Sequence, residues 1–119
     1  MRGRRPGLLP IERALLEVAV RFESEGSPEF HGFRAAQSLT EWGFQSRLAA
    51  TGTIYTALDR LRRGGLMESR WEEIALSEAE GRPRRKLYRI TQTGRLALQN
   101  AVRDEQAATP ATKLAGAER

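Results

Sequence analysis

The sequence predicts a mainly α-helical fold with a small β-hairpin, arranged as a winged helix-turn-helix domain. Two adjacent stretches carry this prediction: residues 51–66 read as a short amphipathic helix, and residues 67–90 as two alternating strands separated by a long tip. Charge is the third observation, because residues 82–95 contain six basic side chains and no acidic one. A helix with a basic face followed by a basic hairpin suits a protein that inserts the helix into a DNA groove and grips the backbone with the hairpin.

The helix at residues 51–66 has one apolar and one polar face. The apolar side chains recur at helical spacing and comprise Ile54, Ala57, Leu58 and Leu61. The opposite face carries hydroxyls and guanidiniums and comprises Thr53, Thr56, Arg60 and Arg63. Thr51 is expected to cap the start of the helix, and Gly64 to supply the left-handed residue at its end. The polar face is either a DNA-reading surface or an ordinary solvated helix face.

The two strands alternate as expected for a hairpin with one buried face. The residues on that face are Met67, Ser69 and Trp71 in the first strand and Lys86, Tyr88 and Ile90 in the second. Gly81 and Pro83 break regular structure in the tip. We expect Trp71 and Tyr88 to form a structural, inward-facing cross-strand pair.

Residues of both the helix and the wing are candidates for DNA contact. They are Thr51, Thr53, Tyr55, Thr56, Arg60 and Arg63 on the helix, and Arg82, Arg84, Arg85 and Lys86 on the wing. The helix arginines are expected to supply affinity, and the wing cations to hold phosphates, whose contacts tolerate variable geometry. Three alternatives stay open. Tyr55 could be a core aromatic. The wing arginines could pair only with Glu78 and Glu80 across the tip, or one of them could insert into the minor groove and read sequence.

Several short motifs occur in an order that resembles the PadR-like transcriptional regulators. The motifs are Gly52-Thr53, Tyr55, Gly65-Leu66, Trp71-Glu72, Gly81-Arg82-Pro83, Tyr88-Arg89-Ile90-Thr91 and Gly94, with a looser match at His31-Gly32-Phe33. The close resemblance covers roughly residues 51–95. It implies a bacterial repressor that dimerises through its C-terminal helix. Because family members often respond to small aromatic or drug-like molecules, it also implies a small-molecule inducer as a partner.

The remaining segments complete the predicted organisation of the chain. We expect a flexible basic arm over residues 1–9, the winged helix-turn-helix domain over 10–91, a C-terminal dimerisation helix over 92–109 and a disordered tail over 110–119. The first helix is expected to begin at Pro10, because proline suits a first helical position. Thr91 is a candidate cap for the last helix, and Pro110 is expected to stop it. His31, the only histidine, is expected to be structural, at the start of a helix near residues 32–42.

The first helix is apolar on two sides, with Leu16 and Val20 forming a second strip beside the main stripe. This pattern indicates two packing partners, the protein's own core and a second subunit. Complete burial within one subunit is the alternative.

Composition limits the classes of protein that fit. The chain has 119 residues, enough for one domain, and a formal net charge of +5, which favours an anionic partner. It lacks cysteine and any apolar run of membrane-spanning length, so we expect a cytoplasmic location and no membrane partner. No nucleophile–base set, phosphate loop or metal-ligand cluster is recognisable, so we expect neither an enzyme nor a bound cofactor or metal. Glu72 and Glu73 are adjacent in a strand and point to opposite faces, which makes them a poor acid–base pair.

Two functions remain at the level of sequence. The first is a sequence-specific DNA-binding transcriptional regulator, a repressor that binds a pseudo-palindromic operator of double-stranded DNA as a homodimer. The second is a winged-helix protein-interaction module without autonomous operator binding. The basic face of the helix and wing discriminates between them, because only the first function needs it.

Overall fold

The computed structural model describes residues 7–43 and 51–117, which form helices around a three-stranded antiparallel sheet. In chain order the elements are α1 (Pro10–Ser24), β1 (Phe30–His31), α2 (Gly32–Glu41), α3 (Thr51–Arg63), β2 (Met67–Trp71), α4 (Ile74–Ala79), β3 (Lys86–Ile90) and α5 (Gln92–Ala117). We call residues 67–90 the wing. Most of the predicted basic arm and the side chain of Thr51 lie outside the described residues, so the predictions made for them stay predictions.

Helix α1 is the centre of the core, and it begins at Pro10 as predicted. The amide of Leu9 donates to Oε1 of Glu12 at 2.9 Å, which satisfies one free amide at the helix start. Leu15 and Leu16, on different sides of α1, are both fully buried, and α1 packs against α2, α3, α5 and β3. Burial of Leu16 within one chain therefore supports the alternative to a subunit contact at that position.

The sheet has the strand order β1-β3-β2, and β1 is an addition to the predicted hairpin. Phe30 pairs with Tyr88, and their rings lie 6.3 Å apart; Phe22 of α1 lies 5.2 Å from the ring of Phe30. These aromatic contacts fasten the sheet to α1. A two-residue strand is too short to show a period of two, so the sequence pattern could not predict it.

The turn between α3 and β2 corrects the predicted position of the left-handed residue. Gly65, with φ of +81°, takes this conformation, and Gly64 does not. The amide of Leu66 donates to the carbonyl of Leu61 at 2.9 Å, as in the usual glycine-terminated helix end. Gly94 of α5 packs against this turn so closely that a Cβ atom would lie 2.1 Å from the carbonyl oxygen of Leu66. Glycine is therefore the residue that lets α5 start there.

The tip of the wing contains a short helix, α4, where the sequence predicts only irregular structure. Its hexapeptide, IALSEA, consists mostly of residues that tolerate or favour helix, but one and a half turns are too few for a detectable apolar period. Gly81, with φ of +65°, follows the helix and redirects the chain toward β3.

Helix α5 confirms one predicted end and corrects the other. Thr91 caps the start, because its Oγ1 accepts from the amide of Gly94 at 3.0 Å. The helix then continues past Pro110 to Ala117, so proline does not end it. Proline removes one backbone hydrogen bond, and the alanine-rich sequence on both sides favours continuation of the helix.

Candidate nucleic-acid interface

Helix α3 has the two faces that its sequence predicts. The residues buried in the core are Ile54, Ala57, Leu58 and Leu61, and the exposed residues of the opposite face are Thr53, Thr56, Arg60 and Arg63. The polar face is therefore free to meet a large partner, while the apolar face fixes the helix axis relative to the core.

Both arginines of this face have carboxylate neighbours in the free protein. Nε of Arg60 lies 2.7 Å from Oε2 of Glu12 on α1, and Nε of Arg63 lies 3.0 Å from Oδ2 of Asp59. A hydrogen bond from Arg62, helped by the charges of Arg63 and Arg62, holds the pKa of Asp59 below its usual range. The pair of Arg63 and Asp59 is exposed, and exposed pairs contribute little to stability, so a phosphate can replace Asp59 at low cost. Glu12 is only 13% exposed, so its pair with Arg60 is better shielded from solvent.

Tyr55 is half-exposed, with 42% of its surface accessible, so the structure does not place it in the core. Its ring packs against Gly32 at the start of α2, where a Cβ atom would come within 2.4 Å of the ring. Gly32 thus creates the space in which the tyrosine ring rests, and Tyr55 belongs to the surface that α2 and α3 share.

Trp71 corrects the predicted cross-strand pair. It is 53% exposed, and its direct partner is Lys86, whereas Tyr88 is buried opposite Ser69. Strand alternation correctly assigns Trp71 to the inner face, but the wing extends beyond the helices that cover this face. The indole ring instead has Nζ of Lys86 at 5.7 Å and the guanidinium carbon of Arg84 at 5.8 Å, both within cation–π range.

An open cavity of about 330 Å³ lies between the start of α2, the start of α3 and the wing. Its lining residues are His31, Phe33, Tyr55, Trp71, Arg84, Arg85, Lys86 and Tyr88. The cavity therefore brings Tyr55 of α3, which we call the reading helix, together with three predicted wing cations. It also includes Phe33 and Trp71, which were not predicted as site residues; the glycine-aromatic motif beside His31 was the available signal for Phe33.

His31 is structural, as the sequence predicts. Its Nδ1 accepts from the amide of Arg34 at 3.2 Å and caps α2, which requires this nitrogen to be unprotonated. Burial lowers the pKa of His31, and the positive charges of Arg85 and Arg34 lower it further.

The wing arginines differ in how many hydrogen bonds and ion pairs they make within the protein. Arg82 donates from Nη1 and Nη2 to the carboxylate of Glu72, and its Nε lies 2.7 Å from Oε1 of Glu80. Its side chain is only 18% exposed, so the phosphate contact predicted for Arg82, which stays a prediction, would require this arginine to leave both carboxylates. The predicted pairing with Glu80 is present, but Glu72 makes more bonds to Arg82, because its carboxylate accepts from both Nη1 and Nη2.

Arg84, Arg85 and Lys86 remain available at the surface of the wing. Arg84 donates from Nη2 to the backbone carbonyl of Glu72 at 3.1 Å, and its side chain is otherwise exposed. Arg85 is exposed, and Lys86 is half-buried beside Trp71. These three cations form the positive rim of the cavity that Tyr55 of α3 also lines.

An amphipathic reading helix, a β-wing and a shared cationic surface define a winged helix-turn-helix protein of the DNA-binding class. The model of the Transcriptional regulator PadR-like family matches residues 25–100, and the chain belongs to this family. Members of the family are transcriptional regulators, so the chain is not grouped with enzymes. No curated protein is similar enough in sequence to count as a match.

Solved structures of transcriptional regulators share the fold. A PadR-like transcription factor from Bacteroides fragilis is 19% identical, with a TM-score of 0.68 and coverage of 87% of this chain and 86% of that one. A PadR family regulator from hypervirulent Clostridium difficile is 20% identical, with a TM-score of 0.65 and coverage of 87% and 95%. A PadR-like regulator from Bacillus cereus is 24% identical, with a TM-score of 0.62 and coverage of 87% and 89%.

Within residues 7–43 and 51–117, no helix is long and apolar enough to cross a membrane.

Proposed function

We propose that this protein is a sequence-specific DNA-binding repressor that acts on chromosomal DNA in the cytoplasm as a homodimer. Membership of a family of transcriptional regulators supports the general class. The observation that carries the proposal is the continuity of the surface from Tyr55, on the reading helix, to Arg84, Arg85 and Lys86, on the wing, across one cavity. A duplex whose major groove receives α3 would bring a phosphate backbone against this cationic rim.

The helix and the wing would divide the contacts. Thr53 and Thr56 are short enough to approach base edges, while Arg60 and Arg63 reach either bases or phosphates after leaving their carboxylate partners. On the wing, the phosphate contacts are assigned to Arg84, Arg85 and Lys86. We assign Arg82 to the support of the wing, because Glu72 and Glu80 already occupy its guanidinium.

A second copy of this chain would dock along α1 and α5. Between these helices lies a groove of about 500 Å³, which is lined by Val20, Arg95, Leu98, Gln99, Val102, Arg103 and Gln106. Leu96, one residue from Arg95 on α5, is about half-exposed. Ion pairs from Arg95 to Glu23 and from Arg13 to Glu105, at 2.7 and 2.8 Å, fasten α5 to α1. This arrangement leaves a long helix with apolar positions that a partner's helices can cover.

A two-fold dimer would present two α3 helices to one face of a duplex. Half-sites about one helical turn apart, roughly 34 Å, would then form a pseudo-palindromic operator, and occupancy of a promoter would repress transcription. A small-molecule inducer, implied by the family resemblance, would act by changing the spacing of these two helices. The α1–α5 groove is the part of the described chain through which such a change would pass.

Selection of bound sequences from a random duplex pool tests the proposal. We expect enrichment of an inverted repeat, binding that weakens steeply with salt, and a dimer by light scattering at micromolar concentration. Enrichment of no sequence, with elution from calf-thymus DNA at low salt, would favour the protein-interaction module instead. Light scattering that shows only monomer would remove the dimer from the proposal.

A further inference from the structure

Glu72 is a buried carboxylate in an otherwise exposed wing. Only 3% of its surface is accessible, whereas its sequence neighbours Trp71 and Glu73 are exposed. Its Oε2 accepts from Nη2 of Arg82 at 3.1 Å, and its Oε1 accepts from Nη1 of Arg82 and from the amide of Arg85 at 2.7 Å. A buried carboxylate is costly unless it is fully paired, so this set of bonds is the reason that the wing tolerates it.

The bonds of Glu72 close the tip of the wing on itself. Its backbone amide donates to the carbonyl of Arg85 at 2.9 Å, and its backbone carbonyl accepts from Nη2 of Arg84 at 3.1 Å. Residues 72 and 85 are the two ends of the segment that contains α4. A single residue therefore joins both ends of this segment and holds the two exposed arginines that follow Pro83.

We propose that Glu72 is the positioning residue of the DNA-binding wing: it clamps Arg82 inside the wing and thereby presents Arg84 and Arg85 to the phosphate backbone. This inference rests on the proposed function, since it concerns how that function's surface is formed. Arg82 and Glu72 neutralise each other, so the outward charge of the tip comes from the next two arginines. The wing is therefore shaped by a buried ion pair and is not a loosely charged loop.

The change in net charge and the loss of a positioning role would alter DNA affinity in opposite directions when Glu72 is neutralised. Glu72 is a negative group close to a DNA-binding surface, so its neutralisation alone should strengthen binding to any duplex. A positioning role requires that the same neutralisation weaken binding, because Arg84 and Arg85 lose their fixed placement. The sign of the effect separates the two readings.

The experiment compares Glu72→Gln with Glu73→Gln in the full chain. Glu73 is the adjacent carboxylate and is exposed, so its substitution makes the same change in net charge. Binding to the selected duplex and to a scrambled duplex is measured from 50 to 300 mM salt. We expect Glu72→Gln to lose on the order of tenfold in affinity, the scale of one arginine contact. The slope of log affinity against log salt should shrink by up to about 1.8, for two phosphates. Glu73→Gln should retain the slope and bind at least as tightly as the wild type.

A second measurement, amide hydrogen exchange, follows the structure of the wing in the absence of DNA. Exchange of the Arg85 amide hydrogen should accelerate in Glu72→Gln, because this amide donates to the substituted carboxylate. Exchange of the Thr91 amide, which follows β3 and donates to the carbonyl of Leu66 at 3.1 Å, should stay slow. If Glu72→Gln does not fold, Arg82→Lys replaces it: this variant keeps the net charge but cannot make the two-pronged bond, and we expect it to lose affinity and salt slope.

The outcomes are distinct from those of the proposed function. A wild type that binds no duplex overturns the proposed function. A wild type that binds, together with a folded Glu72→Gln that binds as tightly as Glu73→Gln, overturns only the role of Glu72. Wild-type affinity and slope in Arg82→Lys would overturn it equally.

Discussion

The reading helix and the wing face the same proposed partner, but different forces hold them in place. Helix α3 is fixed by a face of fully buried aliphatic side chains, and its outer arginines lie beside partly exposed carboxylates. The wing extends beyond the core, and its tip is held by the buried Glu72 and the guanidinium of Arg82. Burial is non-directional and insensitive to salt, whereas an ion pair has a required geometry. The helix should therefore be robust to surface substitutions, and the wing sensitive to single charge changes.

The largest expected effect is the loss of stability when a buried side chain of α3 is truncated. Leu58→Ala removes a fully buried side chain from α3 and should lower the free energy of unfolding by about 2–5 kcal/mol. Because a small domain has about 5–15 kcal/mol in total, this change should remove much of the folded population on moderate heating. Thermal denaturation by circular dichroism measures it. Thr56→Ala, on the exposed face of the same helix, should melt like the wild type and weaken DNA binding, and a large loss of stability there would contradict the assignment of faces.

The next effect concerns Trp71, where the structure reverses the expectation from sequence. Trp71→Ala removes an indole that is 53% exposed, so the free energy of unfolding should fall by less than the about 3–5 kcal/mol expected for a fully buried aromatic residue. DNA affinity should fall, since Arg84 and Lys86 lose the ring that lies beside them. Parallel melts and binding titrations decide the point. Tyr88→Ala is the contrasting variant, because it empties a buried site and should melt well below the wild type. A strongly destabilised Trp71→Ala would restore the original structural role.

A smaller effect separates the two kinds of wing arginine. Arg85→Ala should weaken binding to all duplexes alike and reduce the salt slope by about 0.9, because an exposed cation meets one phosphate. Thr93→Ala, an exposed and neutral site at the start of α5, is a control that should leave the slope unchanged. Loss of discrimination between operator and scrambled duplex in Arg85→Ala would show that the wing reads bases.

The smallest effect is a dependence of stability on pH through His31, at the boundary of the two regions. Its pKa in the folded protein is lowered below 6.5, so in the window beneath 6.5 the unfolded chain binds more protons. Stability should therefore rise as pH increases through this window and level off above about 6.5. Urea denaturation between pH 5 and 8 measures the change. His31→Asn keeps an acceptor for the helix cap but cannot titrate, so its stability should be flatter over the same range.

Glu72 supplies the opposite case in the same structure. The hydrogen bond from Arg82 holds the pKa of Glu72 at about 2, so this carboxylate stays ionised through the range in which His31 titrates. Its contribution to stability is present above the ordinary glutamate pKa and is lost only as pH falls toward 2. A loss of protein stability between pH 6.5 and 5 is therefore assigned to His31 and not to the pair of Glu72 and Arg82.

The sequence was informative where a pattern repeats and weak where a contact is formed by distant residues. Helix α3, the two wing strands, the start of α1 at Pro10 and the cap at Thr91 follow from spacing and from local chemistry, and the structure confirms them. Strand β1 and helix α4 are too short to show a period, and they were missed. The helical continuation past Pro110 was missed for another reason, because one unfavourable residue was weighed above its favourable neighbours.

Sequence alone determined the family, the winged fold class and the two faces of α3, because these depend on order, period and composition along the chain. The tertiary structure decided which polar groups are free. Alternation assigned Trp71 to the inner face, but only the extent of the helices shows that this part of the face is uncovered. Five basic residues and five acidic ones lie in or beside the wing tip, residues 68–86, and local spacing does not say which of them pair. Arg82 and Glu72 find each other across ten positions because the hairpin brings its two ends together, and that contact exists only in the folded chain.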